Sequence, residues 1–158
     1  MEVLQSIRGL TFSIVIYKVT IMAVNTQFSI AVHVMAGLGY QEGRCVTSAQ
    51  LAQSVNTSPS FVRRVLAKLS SAGLVHATTG AGGSCGLARD PAKISLLDIY
   101  KAVDAPKAFA IHRYREEKAC PVSCNIKCAL EKVLGKTQKS METSLGNISL
   151  AEVIRDVK

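Results

Sequence analysis

Three cysteines stand four residues apart in the run CPVSCNIKC, at Cys120, Cys124 and Cys128. With Cys120 as helix cap and Pro121 at the first helical position, where a proline is well tolerated, the three sulfurs line one edge on successive turns. Such a row can ligate an iron-sulfur cluster or zinc, undergo reversible oxidation or intersubunit disulfide formation, or simply pack. An intrahelical disulfide is poorly matched. Residues four apart keep their Cβ atoms about 5–6 Å from each other, whereas a disulfide needs about 4 Å. His112 is a candidate fourth ligand, with a solvated loop histidine as the plainer reading. Cys45 and Cys85 bring the total to five, an odd number unlike the even framework of a small secreted disulfide protein. A reducing cytoplasm suits that count better.

A second constellation is cationic. Arg63, Arg64 and Lys68 fall with Ser60, Ala67 and Ser71 on one side of a helical pattern. Phe61, Val62, Val65, Leu66 and Leu69 form an apolar stripe on the other. Ser58 caps this helix, Pro59 takes its first position, and Ala72 and Gly73 end it. The Ser58 and Ser60 hydroxyls and the free amides of the first turn can take up phosphates, and the arginines can reach phosphates or guanine edges. A solvated helix face usually mixes both signs of charge, and this one carries no carboxylate.

These residues need elements to hold them. Ser48 is expected to cap a short preceding helix with Leu51, Ala52 and Val55 on its buried side, and Asn56 and Thr57 interrupt it. Two helices joined by a tight turn, the second basic, form a helix-turn-helix. After it, Leu74 to Thr79 alternates apolar with polar or small residues, Gly80 to Gly83 is a turn, and Ser84 to Ala88 is extended again. That is a β-hairpin wing. The glycine run lacks the lysine and following helix of a P-loop. Upstream, Asn25 or Thr26 is expected to cap a helix bearing Phe28, Ile30, Ala31, Val34, Met35 and Leu38, closed by Gly37, Gly39 and Gly43. Within it His33 suits a packed or surface role rather than a ligand.

Downstream, Ser95 and Asp98 make a capping box for a helix from Leu96 to Val103, which Asp104, Ala105 and Pro106 break. A mixed aromatic and charged stretch to Ala119 reads as an exposed connection. The helix opened by Pro121 then carries an apolar series that includes Val122, Ile126, Ala129, Leu130, Val133, Leu134, Met141 and Leu145. Its spacing resembles a coiled coil and suits dimerisation through Ile126, Leu130, Val133, Leu134 and Met141. Packing back onto its own domain is the alternative. Ser149 and Glu152 cap a final short helix.

With 158 residues, 48% of them hydrophobic, the chain can bury a core, and its formal charge of +8 attracts polyanions. Residues 1–22 include an apolar stretch that Lys18 divides. It is shorter than the ~20 residues that cross a bilayer, so membrane insertion is not expected. An over-extended start or a leader outside the domain is the preferred reading.

From about Asn25 onward the chain resembles the Rrf2 family of bacterial winged helix-turn-helix transcription regulators. NTQFSIAVHVMAGL, SPSFVRRVLAKLSSAGLV, GAGGSCGLARDP and ISLLDIYKAV carry the resemblance. It implies a homodimer whose helix from Ser58 enters the major groove, whose wing around Gly82 and Gly83 touches the minor groove, and which regulates transcription, usually by repression. Cluster-binding members space their three cysteines more widely, and the CPV segment is similar to members with one cysteine there and no cluster. The family's ligands therefore do not transfer directly to Cys120, Cys124 and Cys128. An iron-sulfur cluster, thiol-based sensing and neither remain open, and Cys85 is expected to be structural.

The expectation is a mainly α fold with a small β-wing: a winged helix-turn-helix over 23–104, and a sensor loop with dimerisation helices over 105–158. Its function is that of a cytoplasmic, non-enzymatic homodimer reading a palindromic operator in double-stranded DNA. The competing expectation is a metal or thiol redox protein whose helical hairpin makes protein contacts only. An oxidoreductase using Cys120 as nucleophile would lack the redox CxxC motif.

Overall fold

Ala31, Val34, Met35 and Leu38 recur at helical spacing and are all buried, the periodicity that places the first helix, α1 (26–40), against the core. The computed structural model describes residues 26–41, 46–77 and 83–157; the leader, Asn25, Gly43, Cys45 and Gly82 lie outside them. Thr26 is already helical, so it is not the cap. Nor do Gly37 and Gly39 close α1, because the helix runs through both. A Cβ on Gly39 would overlap Ile154 Cδ1 and sit 3.2 Å from Leu87 Cδ1. This glycine permits a close approach between elements; it does not stop the helix.

The next helix, α2 (Ser48–Ser54), is capped by Thr47 rather than by Ser48. Thr47 Oγ1 accepts from Gln50 N–H at 3.3 Å, and Gln50 Oε1 accepts from Thr47 N–H at 2.9 Å. A cap at Ser48 would put Leu51 at the third helical position, where it could not return the bond. Leu51 and Ala52 are buried, and Asn56 turns the chain with φ of 51°. Then α3 (Pro59–Ser71) begins as expected, with Ser58 Oγ accepting from Phe61 N–H at 3.3 Å. Val62, Val65, Leu66 and Leu69 are buried. At its end Gly73 takes φ of 67°, and Leu74 N–H reaches Leu69 O at 3.0 Å while Gly73 N–H reaches Ser70 O at 2.9 Å. This paired closure needs a left-handed residue, which glycine adopts without strain.

The wing follows directly. Strands β1 (Val75–Ala77) and β2 (Cys85–Leu87) pair antiparallel in the register Val75 with Leu87, His76 with Gly86 and Ala77 with Cys85. Cys85 N–H also bonds Val46 O at 2.8 Å, which ties the wing to the segment entering α2.

A 3-10 turn (Pro91–Lys93) leads to α4 (Leu96–Ala102), whose Ser95–Asp98 capping box forms in full. Asp104, at φ of 50°, ends it. Residues 105–120 carry no helix or strand and are mostly exposed. From there α5 (Pro121–Gly146) runs 26 residues with Cys120 preceding it, and α6 (Leu150–Val157) follows after a short break. Ser149 and Glu152 cap α6 reciprocally. The backbone and side-chain bonds from Ser149 hold the Glu152 carboxyl below its ordinary pKa.

The end of the chain closes onto its middle. Leu96 N–H bonds Ile148 O at 2.9 Å and Leu150 N–H bonds Ile94 O at 2.8 Å, a short antiparallel bridge through Ser95 and Ser149. Leu150 is fully buried and Ile154 nearly so, both in the same hydrophobic cluster as α1, α2, α3 and α4. One core thus collects residues from both sides of position 104. The long helix α5, by contrast, buries none of its residues completely.

Candidate nucleic-acid interface

The helix-turn-helix presents α3 with its apolar stripe inward and Arg63 and Arg64 exposed. Arg64 places its guanidinium carbon 5.3 Å from the centre of the half-buried Phe61 ring. That contact limits the rotamers open to Arg64 and keeps its charge near the first turn. Ser58 Oγ and Ser60 Oγ lie 3.1 Å apart. No acidic residue occupies the first turn of α3. The N-terminal end of this helix therefore combines two outward guanidiniums, two hydroxyls and the positive pole of the helix dipole, a set suited to anionic oxygen.

Lys68 behaves differently from the arginines. Its Nζ donates to Val103 O at 3.1 Å and pairs with Asp104 Oδ2 at 3.2 Å. The ammonium thus sits on the C-terminal end of α4, where the last carbonyls and the dipole favour a cation. Helical spacing alone places Lys68 with Arg63 and Arg64, but the carboxylate it meets comes from a different element. On the wing, Gly83 is half-buried at the start of the returning chain. Arg89, which the helical and wing patterns do not single out, is exposed just after β2 and brings Nη2 to 3.4 Å from where a Cβ on Gly73 would stand. A cation directly after the wing's second strand is the signal that could have marked it.

The cysteines divide by environment. Cys85 is buried, and burial pushes its thiol pKa up. Cys120 is half-buried, Cys124 and Cys128 are exposed, and all are free thiols. Cys124 Sγ points back to Glu117 O at 3.6 Å. His112 packs its ring on Tyr114 with centroids 5.1 Å apart. Among the described residues no three His, Cys, Asp or Glu side chains converge as a metal-holding group. Cys120 and Cys128 are separated by about 12 Å of helix rise, so the three sulfurs of one chain do not fit a shared cluster.

Along α5 the expected dimerisation stripe is split. Ile126, Leu130, Leu134 and Met141 are half-buried. On the same helix Gln138 accepts from Ala108 N–H and donates to Tyr100 Oη, which binds α5 to its own connection and to α4. Val122 and Val133 are 66% and 62% exposed. The helix therefore meets its own chain on one side and leaves an apolar line free on another.

A helix-turn-helix followed by a two-stranded wing defines a winged-helix DNA-binding protein. The Rrf2 family model, described as an iron-dependent transcriptional regulator, matches residues 24–156. YwnA of Bacillus subtilis (strain 168), a proposed HTH-type transcriptional regulator, is 35% identical over 132 residues, 83% of this chain and 96% of that protein. A solved structure described as a proposed DNA-binding protein is 33% identical with a TM-score of 0.62, over 81% of this chain and 98% of that one. The IscR structure from T. potens is 25% identical with a TM-score of 0.62, over 84% and 86% of the two chains. The chain belongs to the Rrf2 family of transcriptional regulators. Its class is DNA-binding transcription control rather than catalysis, which displaces the reading of the hairpin as a protein-contact element only. No helix among the described residues is long and apolar enough to cross a membrane.

Proposed function

We propose that two copies of this chain form a homodimer that represses transcription in the cytoplasm by binding a palindromic operator. In this reading the first two turns of α3 enter the major groove and the wing, with Gly82 and Gly83, follows the minor groove. The observation that carries it is the outward pair Arg63 and Arg64 at an α3 N-terminus free of acidic residues. Ser58 and Ser60 take the backbone phosphates beside them. The exposed apolar line of Val122 and Val133 on α5 supports the dimer, since a second copy would remove that surface from water. A two-fold dimer presents its reading helices about one DNA turn apart. The cysteine edge of α5 supplies the place where a chemical signal enters.

Selection from random duplexes followed by fluorescence anisotropy tests the reading. It expects two half-sites repeated at about 10 base pairs. Arg63→Ala and Arg64→Ala should each weaken binding and flatten the salt dependence, by roughly 0.9 in log–log slope for every phosphate that is no longer neutralised. Unchanged affinity and slope in both variants would remove α3 as the reading element. Val122→Lys with Val133→Lys should leave the fold intact and yield monomers in light scattering.

A further inference from the structure

A cleft of about 680 Å³ opens between the connection that follows α4 and the middle of α5. We propose that it binds a free aromatic α-amino acid as a zwitterion. The site stands independently of the DNA-binding reading.

Gly135 lines the cleft from α5. A glycine inside a 26-residue helix weakens that helix relative to alanine. At Gly39 the close approach of Ile154 accounts for the glycine, but at Gly135 the chain supplies no such reason: a Cβ there would meet nothing within 4 Å. The bare backbone leaves a flat strip inside the cleft. Phe109, 53% exposed, stands at this strip with Leu134 and Ile111. A planar ring resting on Gly135 and against Phe109 takes both out of water, and the two rings add offset or edge stacking.

The polar lining carries both signs of charge. Lys107, Lys139, Glu131 and Glu142 all border the cleft, and among the described residues the ion pairs are Lys68 with Asp104 and Arg155 with Asp156. None of the four is therefore neutralised within the chain. Two cations and two carboxylates suit neither a plain anion nor a plain cation, but a ligand with one charge of each sign. Glu142 is half-buried, and Gln138 Nε2 donates to its Oε1 at 2.8 Å, which fixes the carboxylate and leaves Oε2 to accept from an ammonium. Lys139 lies three residues before it, on the same face of the helix. The two ligand charges must then stand close together, as on one α-carbon and not as at the two ends of a peptide. From Gly135 to Lys139 is about 6 Å of helix rise, the reach from an aromatic ring to its own carboxylate. Gln138 also joins α5 to Ala108 and to Tyr100 of α4, and the end of α4 holds Lys68 of α3, so an occupant sits close to the helix-turn-helix. Gly135 and Val133 lie about 160° apart around α5, so a dimer contact at Val133 leaves the cleft open.

The test is isothermal titration of the reduced full chain with L-phenylalanine, L-tyrosine and L-tryptophan in turn. We expect at least one of them to bind saturably, one per chain. Phenethylamine and 3-phenylpropionate, which each keep the ring and a single charge, should bind roughly tenfold more weakly or worse. Gly135→Leu should keep its helix content by circular dichroism and lose the binding, because its side chain enters the cleft and not the core. Lys139→Met and Glu142→Gln, neither of them in the core, should each weaken binding roughly tenfold or more, and they decide the matter if Gly135→Leu fails to fold. No binding of any of the three amino acids, equal binding of either single-charge analogue, or full affinity in a folded Gly135→Leu, Lys139→Met or Glu142→Gln would each overturn the assignment.

Discussion

Replacing Lys68 by methionine separates two roles that helical spacing cannot. Methionine keeps an aliphatic stem of similar length and removes only the charge, so packing losses are small. The Lys68–Asp104 pair is open to water, with side chains 39% and 81% exposed, so it contributes no more than about 1 kcal/mol. The bond from Nζ to Val103 O adds the effect of a cation at a helix C-terminus, about 0.3–1 kcal/mol. The helix it stabilises, α4, has only seven residues, too short to hold itself without such support. Together these give a loss of about 0.3–2 kcal/mol for Lys68→Met, and less than about 1 kcal/mol for Asp104→Asn. Urea titration reads that loss as a lower midpoint at unchanged slope. On DNA the expectation is opposite in kind. A lysine already engaged by Val103 and Asp104 adds no phosphate contact, so the salt dependence between about 50 and 200 mM should match the wild type. Were Lys68 a phosphate ligand, a dimer would lose about two units of log–log slope. A flattened slope of that size with undiminished stability would show that Lys68 leaves Val103 to meet DNA, and the structural role assigned to it would be wrong.

Three further outcomes follow from the same geometry. Leu150→Ala, at a fully buried position in the closing bridge, should cost about 2–5 kcal/mol and lower the calorimetric midpoint; a loss below about 1 kcal/mol would mean α6 is peripheral to the core. Glu152 has its folded pKa below its unfolded one, so its stabilisation is complete above the ordinary carboxyl range and disappears as pH falls through the acidic range. Glu152→Gln should therefore flatten the acid limb of the stability curve, and an acid limb as steep as the wild type's would contradict the capping role. A maleimide should label Cys124 and Cys128 in the native protein and Cys85 only on unfolding, as mass spectrometry of the peptides would show.

Much of the reader is legible in the chain because its signals are local. Ser58 followed by Pro59, Ser95 paired with Asp98, and Pro121 after Cys120 each specify a helix start through bonds or dihedrals within a few residues, and each stands where expected. The cap of α2 falls one residue before the expected one, since Thr47 and Ser48 are both good caps and only the reach of Gln50 decides between them. Gly39 has the form of a helix stop, yet its reason is Ile154, a contact that local pattern cannot reveal. Spacing groups Lys68 with the arginines because a helical wheel knows nothing of Asp104 on another element. The α5 stripe reads as one surface, but its own connection and α4 take up part of it and leave Val122 and Val133 outside.

The bridge between Ile94, Leu96, Ile148 and Leu150 also bears on the order in which the protein is made. Helix α3 leaves the ribosome early, but the core beneath it waits for Leu150, and the gap at Gly39 waits for Ile154. At about 5–20 residues per second, α6 emerges on the order of ten seconds after α1. Until then the nascent chain exposes an apolar surface and lacks a finished DNA reader. An interrupted translation product that already contains Arg63 and Arg64 would therefore lack the finished core that holds them in place. Competence to read DNA is deferred until the long helix and its closing helix have both been synthesised.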